Sequence, residues 1–190
     1  MDALTHAIEA YLSLASTPFS DAMAEKGMEL LGRYIRAFVA NRSNEEAADG
    51  MLAGSMFAGI AFGKAKLGNI HAMSHPVSGY FDVPHGVANA ILLPAVLRFN
   101  ALADVGRYET IYQYIKRPGE NQGRFTPSML VDEIYQLLKE VEIPRHLAQV
   151  GVKKEMISSL TKDALTSGNI KTNPRSSTFE DIERIYYEAY

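Results

Sequence analysis

The sequence predicts an all-α protein, a multi-helix bundle, and three observations support this fold class. Apolar residues recur at helical spacing in successive segments, whereas no convincing period-2 alternation of β-branched residues occurs. Helix-start signals precede several of these segments: Thr126 stands before Pro127, and Thr178 lies three residues before Asp181. The composition, 47% hydrophobic and 22% charged over 190 residues, is that of a globular chain that buries a core.

Three helices are predicted first along the chain. The segment 2–15 carries apolar residues on one helical face and is followed by a break in the pattern. A second helix is predicted over 20–41, where methionine, leucine and isoleucine recur at helical spacing. Ser43, with Glu46 three residues later, is typical of a capping box, and it predicts a third helix that runs to about Lys66.

The third predicted helix is rich in glycine, and each glycine costs about 1 kcal/mol of helix stability relative to alanine. The glycines are Gly50, Gly54, Gly59 and Gly63. We therefore expect a neighbouring helix to approach this segment closely.

The next predicted elements surround a group of histidines. A short segment with His71 and His75 is followed by an expected turn over 78–82. Residues 83–86, Val-Pro-His-Gly, then lead into an apolar helix that ends near 97–100. The further predicted helices cover 101–115, 127–141, 153–166 and 178–189.

The clearest predicted loop covers 118–123, Pro-Gly-Glu-Asn-Gln-Gly, and it allows a subdivision of the chain near 116–124. No internal repeat and no low-complexity run interrupts the pattern. Residues 1–190 are therefore expected to form one all-helical domain.

Charge and composition exclude several classes of function. Nineteen basic and 22 acidic residues give a net charge of −3, so we expect no nucleic-acid partner and no anionic membrane partner. The chain has no cysteine, which excludes disulfides, cysteine zinc sites and thiol nucleophiles. Apolar stretches are interrupted before the roughly 18 residues of a membrane span, and no signal peptide is visible. A cytoplasmic location is expected.

The placement of the histidines is the most informative feature of the sequence. Three of the five, His71, His75 and His85, fall within one 15-residue window. Asp2 and His6 are four residues apart in a predicted helix, so both side chains project from one face. His71 and His75 repeat that spacing, and His85 stands at the start of another predicted helix.

Two such pairs on facing helices are a common way to build a metal site inside a helical bundle. Imidazole and carboxylate ligands without cysteine favour Fe(II), Zn, Mn, Co or Ni. Spacing alone leaves the alternative open that these histidines are hydrogen-bonded residues of the core.

Several long motifs carry a resemblance to a known family. Residues 1–11, Met-Asp-Ala-Leu-Thr-His-Ala-Ile-Glu-Ala-Tyr, resemble the signature that opens the C-terminal domain of iron-containing (group III) alcohol dehydrogenases. Residues 71–76 and 84–94 resemble the second signature of this family, and 51–67 and 173–175 are similar too. The resemblance covers essentially the whole chain and implies the α-helical domain of the dehydroquinate-synthase-like superfamily, with a metal site between helices.

The resemblance also implies roles for individual residues. The family's metal ligands fall on Asp2, His6, His71 and His85. His75 matches an additional histidine of the family that lies toward the nicotinamide and substrate and takes part in proton handling. His146 matches no ligand position and is expected to be a partly exposed helix-end residue without a catalytic role.

The function implied by the resemblance is that of the metal- and substrate-binding half of an NAD(P)-dependent alcohol dehydrogenase. A divalent metal, iron(II) as first choice and zinc as second, polarises the oxygen of a small alcohol or aldehyde during hydride transfer. Two alternatives stay open: an isolated metal-binding or interaction module without activity, and a glycerol-dehydrogenase-like relative. Phe62, Met73, Phe81 and Val83 are candidates for shaping a substrate pocket, although core packing is favoured for each.

A dinucleotide site is not visible, because no G-x-G-x-x-G turn follows a predicted strand. The resemblance implies that NAD(P) is bound by an N-terminal α/β domain absent from this chain, and we expect the chain alone to be inactive. Without that domain, Asp2 lies at the frayed end of its helix, and we expect the isolated chain to bind metal more weakly than an intact enzyme, through three histidines plus water. Apolar surface left uncovered is expected to favour a homo-oligomer.

Overall fold

The computed structural model describes residues 1–117, 119 and 123–190, and over these residues the chain forms α-helices and short 3-10 helices without a strand. The predicted all-α class is confirmed. The α-helices are α1 (Asp2–Leu12), α2 (Pro18–Ala40), α3 (Glu45–Ala65), α4 (Asn69–Phe81), α5 (His85–Asn100), α6 (Arg107–Ile115), α7 (Pro127–Glu140), α8 (Ile157–Thr166) and α9 (Phe179–Ala189).

The first helix boundary differs from the prediction because side chains compete with the backbone. α1 ends at Leu12 rather than near residue 15, since Ser13 is extended and its hydroxyl donates to the carbonyl of Ala65 at 2.5 Å. The break that follows is itself a helix start. Thr17 caps α2 through a reciprocal pair of hydrogen bonds with Ser20, and Pro18 occupies the first helical position.

The cap of α3 is Asn44 rather than the predicted Ser43. The Asn44 side-chain oxygen accepts a hydrogen bond from the backbone N–H of Ala47 at 3.0 Å, while the N–H of Ser43 donates to Asn41 in the preceding turn. An asparagine one position later serves as well as a serine, because either side chain satisfies a free N–H of the first turn.

α2 and α3 form an antiparallel pair, and the glycines of α3 divide into two groups. A Cβ added at Gly50 would collide with the ring of Tyr34, and one at Gly54 would lie 2.8 Å from Leu31 Cγ. The close approach predicted from glycine content is confirmed at these two positions. It is wrong for Gly59 and Gly63, where nothing lies within 4 Å of an added Cβ.

α4 is longer than the sequence predicted. The turn expected over 78–82 is the last turn of this helix, because the N–H of Asp82 donates to the carbonyl of Ser78 at 3.0 Å. Asp82 adopts the left-handed conformation (φ 56°) that ends many helices. His71 and His75 therefore lie on one continuous helix.

The helix predicted over 101–115 is divided in two. Residues 101–103 form a 3-10 turn, after which the Asp104 carboxylate accepts from the N–H groups of Arg107 and Tyr108 and starts α6 afresh. Gly106, with φ 96°, allows the sharp change of direction between them.

α5 is the central helix of the domain and contacts α1, α4, α7 and α9. With the following turn to Ala103 it spans 19 residues, and this segment is long and apolar enough to cross a membrane. The expectation that every apolar stretch is interrupted earlier is therefore wrong here, because Arg98 is the only charged residue of the segment. A buried core helix can have the same length and composition as a membrane span. Because 67% of the most apolar window of this segment is buried among other helices, its burial is that of a core helix.

After residue 123, the helix starts agree more closely with those predicted from the sequence. α7 and α9 begin after Thr126 and Thr178, as the cap signals predicted, and α8 is preceded by a 3-10 turn at Lys154–Met156. The predicted loop 118–123 includes Pro118 and 120–122, which lie outside the described residues. A subdivision near 116–124 stays a prediction.

Candidate metal centre

Three helices bring together the four residues that the sequence analysis named as metal ligands. α1 contributes Asp2 and His6, α4 contributes His71, and α5 contributes His85 as its first residue. One potential ligand atom from each residue lies within 4.8 Å of every other. We call these four residues the ligand cluster.

The imidazole rings of the ligand cluster are in mutual contact. The ring centroids of His6 and His71 are 4.4 Å apart, and those of His71 and His85 are 5.2 Å apart. The Asp2 carboxylate lies 3.8 Å from Nδ1 of His6. His71 is buried to 1% exposure, while the other three residues are partly exposed, so the cluster lies at the edge of the core.

Asn89 occupies the middle of the ligand cluster. Its amide nitrogen lies 2.7 Å from Asp2 Oδ1, 3.0 Å from His85 Nε2 and 3.1 Å from His71 Nε2. Its side chain is fully buried, and Oδ1 has no hydrogen-bond partner among the described residues.

This donor set fits a divalent cation. An amide nitrogen carries two hydrogens, so Asn89 cannot donate to all three nearby acceptor atoms at once. A carboxylate oxygen and imidazole nitrogens that converge on one point are ligands that iron(II) and zinc accept.

Two histidines of the ligand cluster, His6 and His85, have a lowered pKa, which favours their neutral forms. The pKa of His6 is lowered to about 4, mainly by burial and then by the nearby His71, although Asp2 opposes the shift. Burial also lowers the pKa of His85, again against the charge of Asp2. Neutral imidazoles keep the lone pair that a metal ligand must present.

Glu9 contacts His71 on the side of the imidazole ring opposite Nε2. One carboxylate oxygen, Oε1, accepts the backbone N–H of Ile70 at 2.7 Å, and Oε2 lies 2.5 Å from Nδ1 of His71. Glu9 is only 5% exposed and belongs to the same helix as Asp2 and His6.

His75 lies beside the ligand cluster but outside it. Its ring centroid is 5.4 Å from that of His85 and 6.1 Å from that of His71, and the residue is exposed. Burial lowers the pKa of His75, and the neighbouring His85 and His71 lower it further. His146, by contrast, is exposed at the start of the 3-10 helix Leu147–Val150.

Of the four apolar residues considered for shaping a substrate pocket, one borders the ligand cluster and three belong to the core or pack against it. The ring of Phe62 stacks on His6, with centroids 4.5 Å apart, and therefore borders the ligand cluster. Met73 and Val83 are buried in the core, as their favoured interpretation predicted, and Phe81 packs against that core.

Sequence reasoning missed the contributions of Glu9 and Asn89. Glu9 follows His6 by three residues and Asn89 follows His85 by four, so each lies on the same helical face as a candidate ligand. Helical spacing around each candidate ligand was the signal that could have identified both.

Comparison with known proteins matches the whole chain to a single protein family. Residues 1–190 match the family described as "Fe-containing alcohol dehydrogenase family, C-terminal". The chain is 39% identical to the 1,3-propanediol dehydrogenase of Citrobacter freundii over 194 residues, covering 100% of this chain and 49% of that protein. It is 37% identical to the lactaldehyde reductase of Escherichia coli K12 over 191 residues, covering 100% and 50%.

Solved structures agree with the sequence matches. A 1,3-propanediol oxidoreductase superposes with a TM-score of 0.95 at 39% identity, and an alcohol dehydrogenase from Oenococcus oeni with 0.94 at 36%. Each superposition covers 100% of this chain and 50% of the other. The chain thus spans about half the length of the curated relatives it matches.

Proposed function

Because the chain belongs to the Fe-containing alcohol dehydrogenase family and corresponds to its C-terminal part, we propose that it is the metal- and substrate-binding half of an NAD(P)-dependent alcohol dehydrogenase. The observation that carries this proposal is the convergence of Asp2, His6, His71 and His85 from three helices. Iron(II) is the preferred cation and zinc the alternative, since both accept this mixture of ligands.

The chemistry follows from the residues around the site. A divalent cation bound by the ligand cluster would supply Lewis acidity to the oxygen of a small alcohol or aldehyde. His75 lies beside the ligand cluster and is exposed, and partial burial lowers its pKa, which favours the neutral form. We assign to His75 the acceptance and return of the hydroxyl proton.

Substrate and cofactor are proposed from the relatives. Those named above act on propanediol or lactaldehyde, so a short alcohol or aldehyde is the proposed substrate class. NAD(P) is proposed to bind to an N-terminal domain of the whole protein, because the matched relatives are about twice as long as this chain. The whole enzyme is proposed to be a cytoplasmic homo-oligomer.

Metal titration of this chain tests the first part of the proposal. We expect one Fe(II) or Zn(II) per chain by anaerobic titration and metal analysis, and a loss of that binding in His85→Ala. His146→Ala is the matched control, because it removes an exposed histidine outside the ligand cluster. Absence of a stoichiometric site in the unmodified chain would contradict the proposal.

Activity of the whole protein tests the second part. Alcohol oxidation with NAD or NADP should depend on added divalent metal and should be lost in His85→Ala. Oxidation that persists at full rate after removal of metal by a chelator would contradict the proposed role of the cluster.

A further inference from the structure

We infer that Glu9 is a positioning residue that fixes the tautomer of His71 and thereby determines which imidazole nitrogen faces the ligand cluster. The inference rests on the proposed metal site and goes further, because it assigns a role to a residue that is not itself a proposed ligand. It concerns a buried carboxylate shared between two helices.

The contacts of Glu9 join α1 to the beginning of α4. Ile70 is the second residue of α4, so its N–H is one of the first-turn donors without a partner in the helix. Glu9 Oε1 accepts that N–H at 2.7 Å, and Oε2 faces His71 Nδ1 at 2.5 Å. The carboxylate therefore lies at the N-terminal end of α4, where the helix dipole is positive.

An ionised carboxylate can only accept hydrogen bonds. Nδ1 of His71 must therefore carry the proton that lies between it and Glu9. A neutral imidazole has one N–H, so Nε2 is left with a free lone pair. His71 is 1% exposed, which means that these neighbours rather than water determine its tautomer.

A second neighbour favours the same tautomer independently. The amide nitrogen of Asn89 lies 3.1 Å from His71 Nε2 and carries only hydrogens, so a proton on Nε2 would place two donors against each other, whereas an unprotonated Nε2 would not. The lone pair of Nε2 consequently points to where Asp2 and His85 also converge. Histidine ligands of metal sites are commonly oriented by a carboxylate in this way.

Glutamine cannot replace Glu9, although it has nearly the same shape. The N–H groups of Ile70 and His71 both need an acceptor, and an amide side chain offers a single oxygen. If that oxygen accepts from Ile70, the amide NH2 faces Nδ1 and drives the histidine proton to Nε2, toward the cluster. Glu9 is only 5% exposed, so bulk water does not readily supply the missing acceptor.

Metal affinity of Glu9→Gln tests the inference. We expect a loss of about 10- to 100-fold in Zn(II) affinity, measured by competition with a chromophoric chelator. Glu133→Gln is the matched control: Glu133 is also a buried carboxylate, but it lies on α7, pairs with Arg36 and does not belong to the ligand cluster, so its variant should keep the affinity of the unmodified chain. Equal affinities of Glu9→Gln and the unmodified chain would overturn the inference.

A measurement on the unmodified chain keeps the inference testable if the variant does not fold. In metal-free protein labelled with 15N-histidine, NMR near neutral pH should show His71 protonated at Nδ1. A proton on Nε2 would overturn the role of Glu9. Failure of the unmodified chain to bind Zn(II) would instead contradict the proposed function, and the NMR result would still decide the tautomer.

Discussion

Among the four residues of the ligand cluster, Asp2 has the least support from its own helix. It is the first residue of α1, its side chain is 42% exposed, and Met1 provides no side-chain cap. Support comes from α5 instead: Asn89 donates to its carboxylate at 2.7 Å, and Gly86 leaves room for the close packing of its Cβ. The frayed position expected from the sequence is thus held by contacts from elsewhere in the chain.

Removal of the Asp2 carboxylate should weaken metal binding. We expect Asp2→Ala to lower Zn(II) affinity by more than the about 10- to 100-fold expected for Glu9→Gln, because a proposed ligand is lost. Calorimetric titration of both proteins measures this difference. Asp49→Ala, an exposed aspartate of α3, should bind as the unmodified chain does. An unchanged affinity in Asp2→Ala would show that Asp2 is not a ligand.

At the scale of elements, α3 shows how one sequence feature can have two structural causes. Gly50 and Gly54 permit the approach of α2, whereas Gly59 and Gly63 face open space. The close helix contact predicted from glycine content is therefore present in the N-terminal half of α3 and absent at the two glycines of its C-terminal half. The same helix ends close to the site, where Phe62 stacks on His6.

Alanine at two of these glycines should change stability in opposite directions. Gly59→Ala should raise the free energy of unfolding by up to about 1 kcal/mol, since alanine favours helix and nothing opposes its methyl group. Gly54→Ala should lower it by about 1–3 kcal/mol, because the methyl group would meet Leu31 Cγ at 2.8 Å. Urea unfolding of the two variants measures the difference, and a stabilised Gly54→Ala would contradict the packing of α2 on α3.

Periodicity and caps were sufficient to predict most helices and their order, since these signals are local. Boundaries failed where a side chain competed with the backbone, as at Ser13, or where turn residues formed the end of a helix, as at Asp82. The structure brings the four predicted ligands together, but the partners of His71 depend on how α1 and α5 pack against α4. Helical spacing could place Glu9 beside His6 and Asn89 beside His85, but both are distant from His71 in sequence, so their contacts with His71 follow from packing.

Over the whole molecule, ion pairs connect residues that are distant in the chain. Arg36 on α2 donates to Glu133 and Glu140 on α7, each at 2.6 Å, and also to the carbonyl of Ile115. These contacts join α2 to α7 and to the last residue of α6.

The exposed face of α3 predicts self-association of this chain. Leu52, Met56 and Ile60 are spaced four residues apart on that face, and Leu52 is 71% exposed. Light scattering over a concentration series should give a mass above 21.0 kDa, and the double variant Leu52→Glu/Met56→Glu should reduce it. Val105→Glu, which changes an exposed apolar residue in another part of the surface, serves as the control. A constant monomer mass would contradict this prediction.

The burial of α5 has a consequence for how the protein is made in a cell. The segment His85–Ala103 is shielded only after several other helices have docked around it, and α9 comes from the far end of the chain. A nascent chain consequently exposes this apolar segment until synthesis of the later helices is complete. Chaperones that hold apolar segments should therefore bind the growing chain at α5 and release it when α9 has been synthesised.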